Sequence, residues 1–236
     1  NEDLSSICES LNIPMAVGSE SIAISDTDSR ESFELVKVKE DLLRIGNLGF
    51  ERDFDDFVFA RDLIDAHAMQ VHLNLAQELV MKEGDNSYHS SLGLIKDLVE
   101  NFNYPIIVKE TGSGISKAVA EKLVDVGVRY IDVAGKGGTN FIEIEDLRDF
   151  EIDYSDLYNW GIPTAKSIID VRSISDETFI IASGGIRTAM DVVKSIIIGA
   201  DMAAMTGEVL NYLLHGGYDA CESFLKEINL KLKIIM

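Results

Sequence analysis

Short apolar runs alternate with longer stretches of helical periodicity from one end of the chain to the other. The runs at 14–18, 43–47, 68–73, 105–108, 130–133, 179–182 and 202–205 predict seven strands. Several are apolar throughout, which suits strands covered on both faces in a parallel sheet. Between most of them the pattern predicts helices. One opens the chain at 3–11, and others cover 54–67, 92–102 ahead of Pro105, 116–126 with Ser116 as N-cap, and 189–198 ending at Gly199. A last amphipathic helix runs from about Tyr218 to Ile234. This β-α alternation predicts an α/β fold, a TIM (β/α)8 barrel, which wants one strand more than the seven found. Because the chain opens on a helix, the first strand is expected upstream. The expected domain is a single barrel over 1–236, with N-terminal and C-terminal segments lying outside it. A doubly wound open sheet is the alternative, but no Gly-rich dinucleotide fingerprint follows the first strand. Two segments fit poorly, the tight link from Asn47 to Phe54 and the acidic stretch 148–159, and both are candidate lids.

Composition narrows the classes. The net charge of −20 argues against nucleic-acid binding, which needs clustered Lys and Arg, and means that an anionic ligand must meet local cations or a metal. No apolar run reaches the roughly 20 residues of a membrane span. No secretory signal is visible, and Cys8 and Cys221 lack metal-site spacing, so free thiols and a cytoplasmic setting are expected.

The candidate chemistry gathers where strands end. Alternation puts Gln70, His72 and Asn74 on one face, with Gln77 and Glu78 just beyond. Ser19, Asn47, His72, Lys109, Gly135 and Gly184 end or follow successive strands, and barrel ligands sit at that end. A capping loop with surface amides would also give such a cluster. Lys109 would emerge at the mouth, where a cation stabilises an anionic flavin ring or an enolate-like charge. Ala182-Ser-Gly-Gly-Ile-Arg187 follows a strand and opens a helix, and small Ala203 and Ala204 end the next strand. Together they form a candidate phosphate cradle, aided by the helix N-terminus. Gly135-Lys-Gly-Gly-Thr-Asn140 is a second Gly-rich loop whose amides and Thr139 hydroxyl could hold a cofactor edge. Trp160 before Pro163 could wall an apolar substrate, or pack structurally.

With these loops in order, the chain resembles the type 2 isopentenyl diphosphate isomerases, FMN-dependent enzymes on a TIM barrel. The matching stretches are Met15-Ala-Val-Gly-Ser19, Asn47-Leu-Gly49, Val71-His-Leu-Asn-Leu-Ala-Gln-Glu78, Glu83-Gly-Asp85, Ile107-Val-Lys-Glu110, Gly135-Lys-Gly-Gly-Thr-Asn-Phe141, Trp160-Gly-Ile-Pro-Thr-Ala165 and Ser183-Gly-Gly-Ile-Arg187. The resemblance implies interconversion of isopentenyl and dimethylallyl diphosphate with reduced FMN, NADPH as reductant and Mg²⁺, in a homo-oligomer (tetramer or octamer). Carried over, it implies that Gln77, His72 and Asn74 serve catalysis, that Glu78 ligates Mg²⁺, and that Ser19, Gln77 and Trp160 meet substrate. Ser19, Asn47, Lys109 and Thr139 would hold the flavin ring and ribityl chain, and Gly184, Gly185, Arg187, Ala203 and Ala204 its phosphate. The family reads Gly-Ser-Gln-Arg where this chain has Gly18-Ser-Glu-Ser21, which removes a cation expected near the diphosphate and adds a carboxylate. The family's basic N-terminal substrate-binding segment and its first-strand Ser/Thr-Gly-Gly loop are absent from this sequence.

Two other readings stand beside it. Another FMN barrel oxidoreductase of hydroxy acids would need a base with paired Arg residues, and a covalent nucleotide dehydrogenase would need a Cys in its loop; neither set is evident. A non-catalytic flavoprotein of the same fold is the second.

Overall fold

The structure, a computed structural model, describes residues 1–80, 91–148 and 152–235. The Glu83–Asp85 motif and part of the acidic stretch 148–159 lie outside the described residues. All seven expected strands are present: β1 (Met15–Ala16), β2 (Arg44–Gly49), β3 (Ala68–His72), β4 (Ile106–Lys109), β5 (Tyr130–Asp132), β6 (Phe179–Ala182) and β7 (Met202–Ala203). They form one parallel sheet in chain order, so every connection crosses over to the next neighbour and β1 and β7 are the edges. Seven parallel strands in this order fit the curled sheet of a TIM barrel.

The helices are α1 (Glu2–Leu11), α2 (Ser21–Ser25), α3 (Arg30–Lys37), α4 (Phe54–Ile64), α5 (Leu75–Val80), α6 (Ser91–Asn101), α7 (Lys117–Asp125), α8 (Phe141–Arg148), α9 (Thr164–Arg172), α10 (Ala189–Ile197) and α11 (Gly207–Ile235). Local chemistry sets their ends. The Ser116 side chain accepts from Val119 N to start α7, Asp53 does the same for Asp56 N in α4, and Thr188 and Asp191 form a reciprocal capping box on α10. The final helix begins earlier than its sequence pattern indicates and carries a break at Gly217.

Strand parity separates two apolar layers. Leu48, Met69, Val71, Ile106, Val108, Ile131, Val133, Ile180 and Ala182 face the helices and form the main core with Phe57, Ile64, Leu98 and Ile168. The alternate positions Ile45, Ala68, Ile107, Tyr130, Phe179 and Ile181 form a smaller cluster on the concave side. The same parity carries Asn47, Gln70, His72, Lys109 and Asp132 onto that concave side, one step nearer the mouth.

Across the sheet edges, α1 packs on α11 through Ile7, Cys221 and Leu225. Both cysteines are free, and burial together with Cys221 nearby pushes the Cys8 thiol up to about 11. No described helix is long and apolar enough to cross a membrane.

Candidate functional site

A polar ladder crosses the strand ends. Sheet register pairs Asn47 with Gln70, His72 with Lys109, and Lys109 with Asp132. Asn47 donates from Nδ2 to the Val17 carbonyl at 3.3 Å, which leaves its Oδ1 to face His72 Nδ1 at 2.8 Å. That geometry puts the imidazole proton on Nδ1 and leaves Nε2 as an acceptor. Burial, and secondarily the Lys109 charge, hold His72 down at about 4, so the ring is neutral at pH 7.

Lys109 donates to the Glu110 carbonyl at 2.6 Å. Asp132 is buried and accepts from the Ser183 hydroxyl and from Ala134 N. Burial raises the Asp132 carboxyl, while Lys109, Ser183 and the Ala134 N–H pull it back. Neighbouring Glu110 accepts from Thr111 N at 2.7 Å and Ser113 N at 3.1 Å, and so fastens the loop after β4.

Beyond β3, Asn74 takes a left-handed conformation (φ 39°). Its Oδ1 accepts from Thr111 Oγ1 at 2.6 Å and its Nδ2 donates to Glu78 Oε1 at 3.3 Å. This turn launches α5, whose Gln77 donates from Nε2 to Glu145 Oε1 on α8 at 2.7 Å. Glu145 is buried and also pairs with Arg148 at 2.7 Å. Neither α5 nor α8 is anticipated by the sequence pattern, and Glu145, like Asp132 on the ladder, is a site residue it misses. A carboxylate recurring inward on a short helix is a signal too weak to separate from an acidic surface.

The Gly-rich loops meet face to face. Gly184 and Gly185 both have positive φ (90° and 83°), and a Cβ on either would collide with the carbonyl of Gly135 or Gly137 respectively. A Cβ on Gly138 would lie 2.9 Å from Gly185 N. Arg187 donates to the Gly137 carbonyl at 2.9 Å and pairs with Glu208 at 3.5 Å, which ties both loops to the first turn of α11. The N-terminus of α10 is already engaged by a carboxylate: Asp191 accepts from Arg187 N at 3.2 Å and Thr188 N at 3.0 Å. An anion at these loops would thus meet glycine amides rather than the α10 terminus. Ala204 N continues the β6–β7 ladder to the Ala182 carbonyl at 2.9 Å, so Ala203 and Ala204 border the same corner.

A cavity of about 240 Å³ opens beside the ladder, lined by Gln77, Thr111, Ser113, Lys136, Thr139 and Trp160 among others. Trp160 is 57% exposed, a wall of the cavity rather than core. The chain therefore brings Gln77, Thr139 and Trp160 to one cavity, while Asn47, His72 and Lys109 share the concave ladder and do not line it. Ser19 is exposed and accepts from Ser21 N at 3.4 Å at the start of α2. No cluster of three metal-ligating side chains occurs among the described residues.

The carboxylate at Glu20 departs from expectation. It is not presented to the mouth: the side chain is fully buried, and Oε2 accepts from Asn47 N at 2.9 Å.

The sequence pattern of a family described as FMN-dependent dehydrogenase matches residues 65–236. An isopentenyl-diphosphate delta-isomerase from Geobacillus sp. (strain WCH70) is 42% identical over 237 residues, covering 100% of this chain and 68% of its own length. The protein of that name from Staphylococcus haemolyticus (strain JCSC1435) is 37% identical over 237 residues, covering 100% and 68%. Among solved structures, mandelate oxidase aligns with TM-score 0.67 at 14% identity, over 98% of this chain and 67% of its own. Inosine 5′-monophosphate dehydrogenase from Legionella pneumophila aligns with TM-score 0.58 at 20% identity, over 87% and 54%. At those identities the structural matches speak to the barrel fold alone.

Proposed function

The chain belongs to the isopentenyl-diphosphate delta-isomerases, within the FMN-dependent dehydrogenase family, and from that membership we propose that it interconverts isopentenyl and dimethylallyl diphosphate with bound FMN. The observation that carries the reading is the concave ladder of Asn47, His72, Lys109 and Asp132 beside paired glycine loops and a cavity walled by Gln77 and Trp160.

The residues present suit an FMN. Gly184 and Gly185, pressed on Gly135 and Gly137, let the two loops pack backbone to backbone, so that glycine amides without side-chain cover would meet a phosphate. Lys109, buffered by Asp132, would supply the cation beside the ring, and Asn47, Thr139 and Ser19 would hold its edges. Reduced FMN, with NADPH as the proposed reductant, would supply an electron-rich face and a proton-carrying nitrogen for allylic proton transfer. Glu78, steadied by Asn74, would hold the Mg²⁺ that offsets the diphosphate charge in a protein of net charge −20.

The chain's own residues would then divide the work. Gln77, fixed by Glu145, orients the substrate's reacting carbons at the cavity wall. Neutral His72 presents an acceptor nitrogen, and Asn74 fixes the turn that carries Gln77 and Glu78. Trp160 and Phe141 keep the hydrocarbon end dry, which a developing tertiary carbocation requires. The paired Arg residues that a hydroxy-acid oxidase needs are not among the side chains gathered here.

Absorption spectroscopy of the purified protein, before and after anaerobic NADPH, followed by product analysis with isopentenyl diphosphate and Mg²⁺, tests the proposal. A flavin band that bleaches and dimethylallyl diphosphate without net NADPH consumption are expected. Stoichiometric NADPH oxidation by substrate would overturn it.

A further inference from the structure

Glu20 is a buried carboxyl that the function above does not use. Its Oε2 accepts from Asn47 N at 2.9 Å, its own N–H donates to the Asn47 carbonyl at 2.9 Å, and its Oε1 is buried with no hydrogen-bond partner. Glu20 thus closes a two-point clasp on the backbone of Asn47, the residue whose side-chain amide touches His72. Room for it comes from Gly46: a Cβ there would lie 2.8 Å from Glu20 Oε2 and would collide with the Met69 sulfur. The carboxyl therefore sits behind the strands, on the helix-facing side, where Met69 belongs to the main core.

We propose that Glu20 is a positioning residue that holds Asn47, and through it His72, only while its carboxyl is uncharged, so that ionisation at alkaline pH releases this corner of the site. An orphaned Oε1 in a dry core is tolerable on a neutral acid and costly on a carboxylate. The charged form must acquire water or swing out, and either move pulls the Asn47 amide with it. Burial raises Glu20 to about 8, opposed by the Asn47 N–H. The elements around it carry little that would intervene. Residues Ser21 to Ser25 of α2 are uncharged, and Arg30 beyond them donates to the Ala23 carbonyl at 2.7 Å. The β2–α4 connection brings Glu51 paired with Arg52 at 3.5 Å, α4 brings the partly exposed Asp56, and β3 brings His72, already neutral.

The consequence for flavin rests on the function proposed above, but the clasp itself does not, and the test separates them. The His72 ring is followed by NMR from pH 6 to 9 in the wild-type chain and in Glu20→Gln, which keeps the shape and removes the titration. Since His72 itself is not titrating there, an inflection near pH 8 reports its neighbour. The proposal expects that inflection in wild type and its absence in Glu20→Gln, with FMN affinity falling about tenfold over the same range in wild type only. No inflection in wild type, or an equal one in Glu20→Gln, overturns it. An inflection without any change in FMN affinity keeps the clasp and removes Asn47 from the flavin site.

Discussion

The Gln77 side-chain amide donates to the buried Glu145 carboxylate at 2.7 Å, joining α5 to α8 across 68 residues of chain. Glu145 is held in turn by Arg148, so the amide of Gln77 has one orientation, nitrogen toward Glu145 and oxygen free. Truncating the partner, Glu145→Ala, leaves Gln77 free to rotate. The expected result is a fall in kcat of about 10-fold to 100-fold with FMN affinity unchanged, since positioning contributes to rate more than to cofactor binding. Steady-state kinetics beside a flavin titration would check it, and an unaltered kcat would detach Gln77 from the reacting centre.

Much of this was readable in the sequence. All seven strands follow from apolar runs, most strongly the central ones such as β3, where burial on both faces leaves a strong local mark, and least at the short, partly exposed edge strands β1 and β7. His72, Lys109 and Asn47 also follow, since each is a polar residue closing such a run. The carboxylates are another matter. Asp132 interrupts Tyr130–Val133 and was open to the same reasoning, but one acidic residue in a chain with 41 carries little weight. Glu145 and Glu20 were hidden because burial of a carboxylate depends on distant partners, Gln77 and the Asn47 backbone, which no local pattern encodes. Glu20 was expected to confront the diphosphate with a charge, and Gly46 gives it a place behind the sheet instead.

Glu78 Oε1 accepts from Asn74 Nδ2 at 3.3 Å, a contact that ties the carboxylate to the turn after β3. Glu78→Gln keeps that shape and loses the charge a hard divalent ion requires. Mg²⁺-dependent turnover should vanish, below about 1% of wild type, while the protein stays yellow. Normal turnover with Mg²⁺ would show that the ion is held elsewhere.

Lys109 is the cation nearest the buried Asp132 in the sheet register. Lys109→Ala removes a charge that lowers the raised Asp132 carboxyl and that would face an anionic reduced ring. Flavin affinity should drop by at least about tenfold, and the midpoint potential of the bound flavin should fall, because the reduced anion loses more than the oxidised ring does. Redox titration of the variant measures both, and an unmoved potential would exclude Lys109 from the ring's surroundings.

Gly184 joins the two cradle loops where no side chain fits. Its φ is 90° and a Cβ would strike the Gly135 carbonyl, so Gly184→Ala forces either loop to retreat. Backbone strain of about 1–3 kcal/mol is expected in thermal or denaturant unfolding, together with loss of FMN binding. Ala200→Gly, outside the cradle, should cost stability without touching the flavin. If Gly184→Ala binds FMN as tightly as wild type, the phosphate lies at another corner.

His72 and Glu20 bend the pH profile of stability in opposite directions. His72 titrates at about 4 in the folded protein against 6.5 as a free side chain, so the unfolded chain binds the extra proton between those values. Its contribution is present above pH 6.5 and is lost as pH falls toward 4, on the order of 3 kcal/mol in all. Glu20 titrates at about 8 against 4.5, so the folded chain holds the extra proton, and its contribution is present below pH 4.5 and is lost as pH rises toward 8. The two slopes nearly cancel between pH 4.5 and 6.5, and Glu20 alone acts from 6.5 to 8. Denaturant unfolding along the pH axis should therefore separate them by difference from wild type. His72→Gln should remove the acid-side loss and leave the alkaline one, and Glu20→Gln should do the reverse. A His72→Gln curve parallel to wild type between pH 4 and 6.5 would mean that the imidazole is not held neutral by burial against Asn47, and the tautomer assigned to it would fall as well.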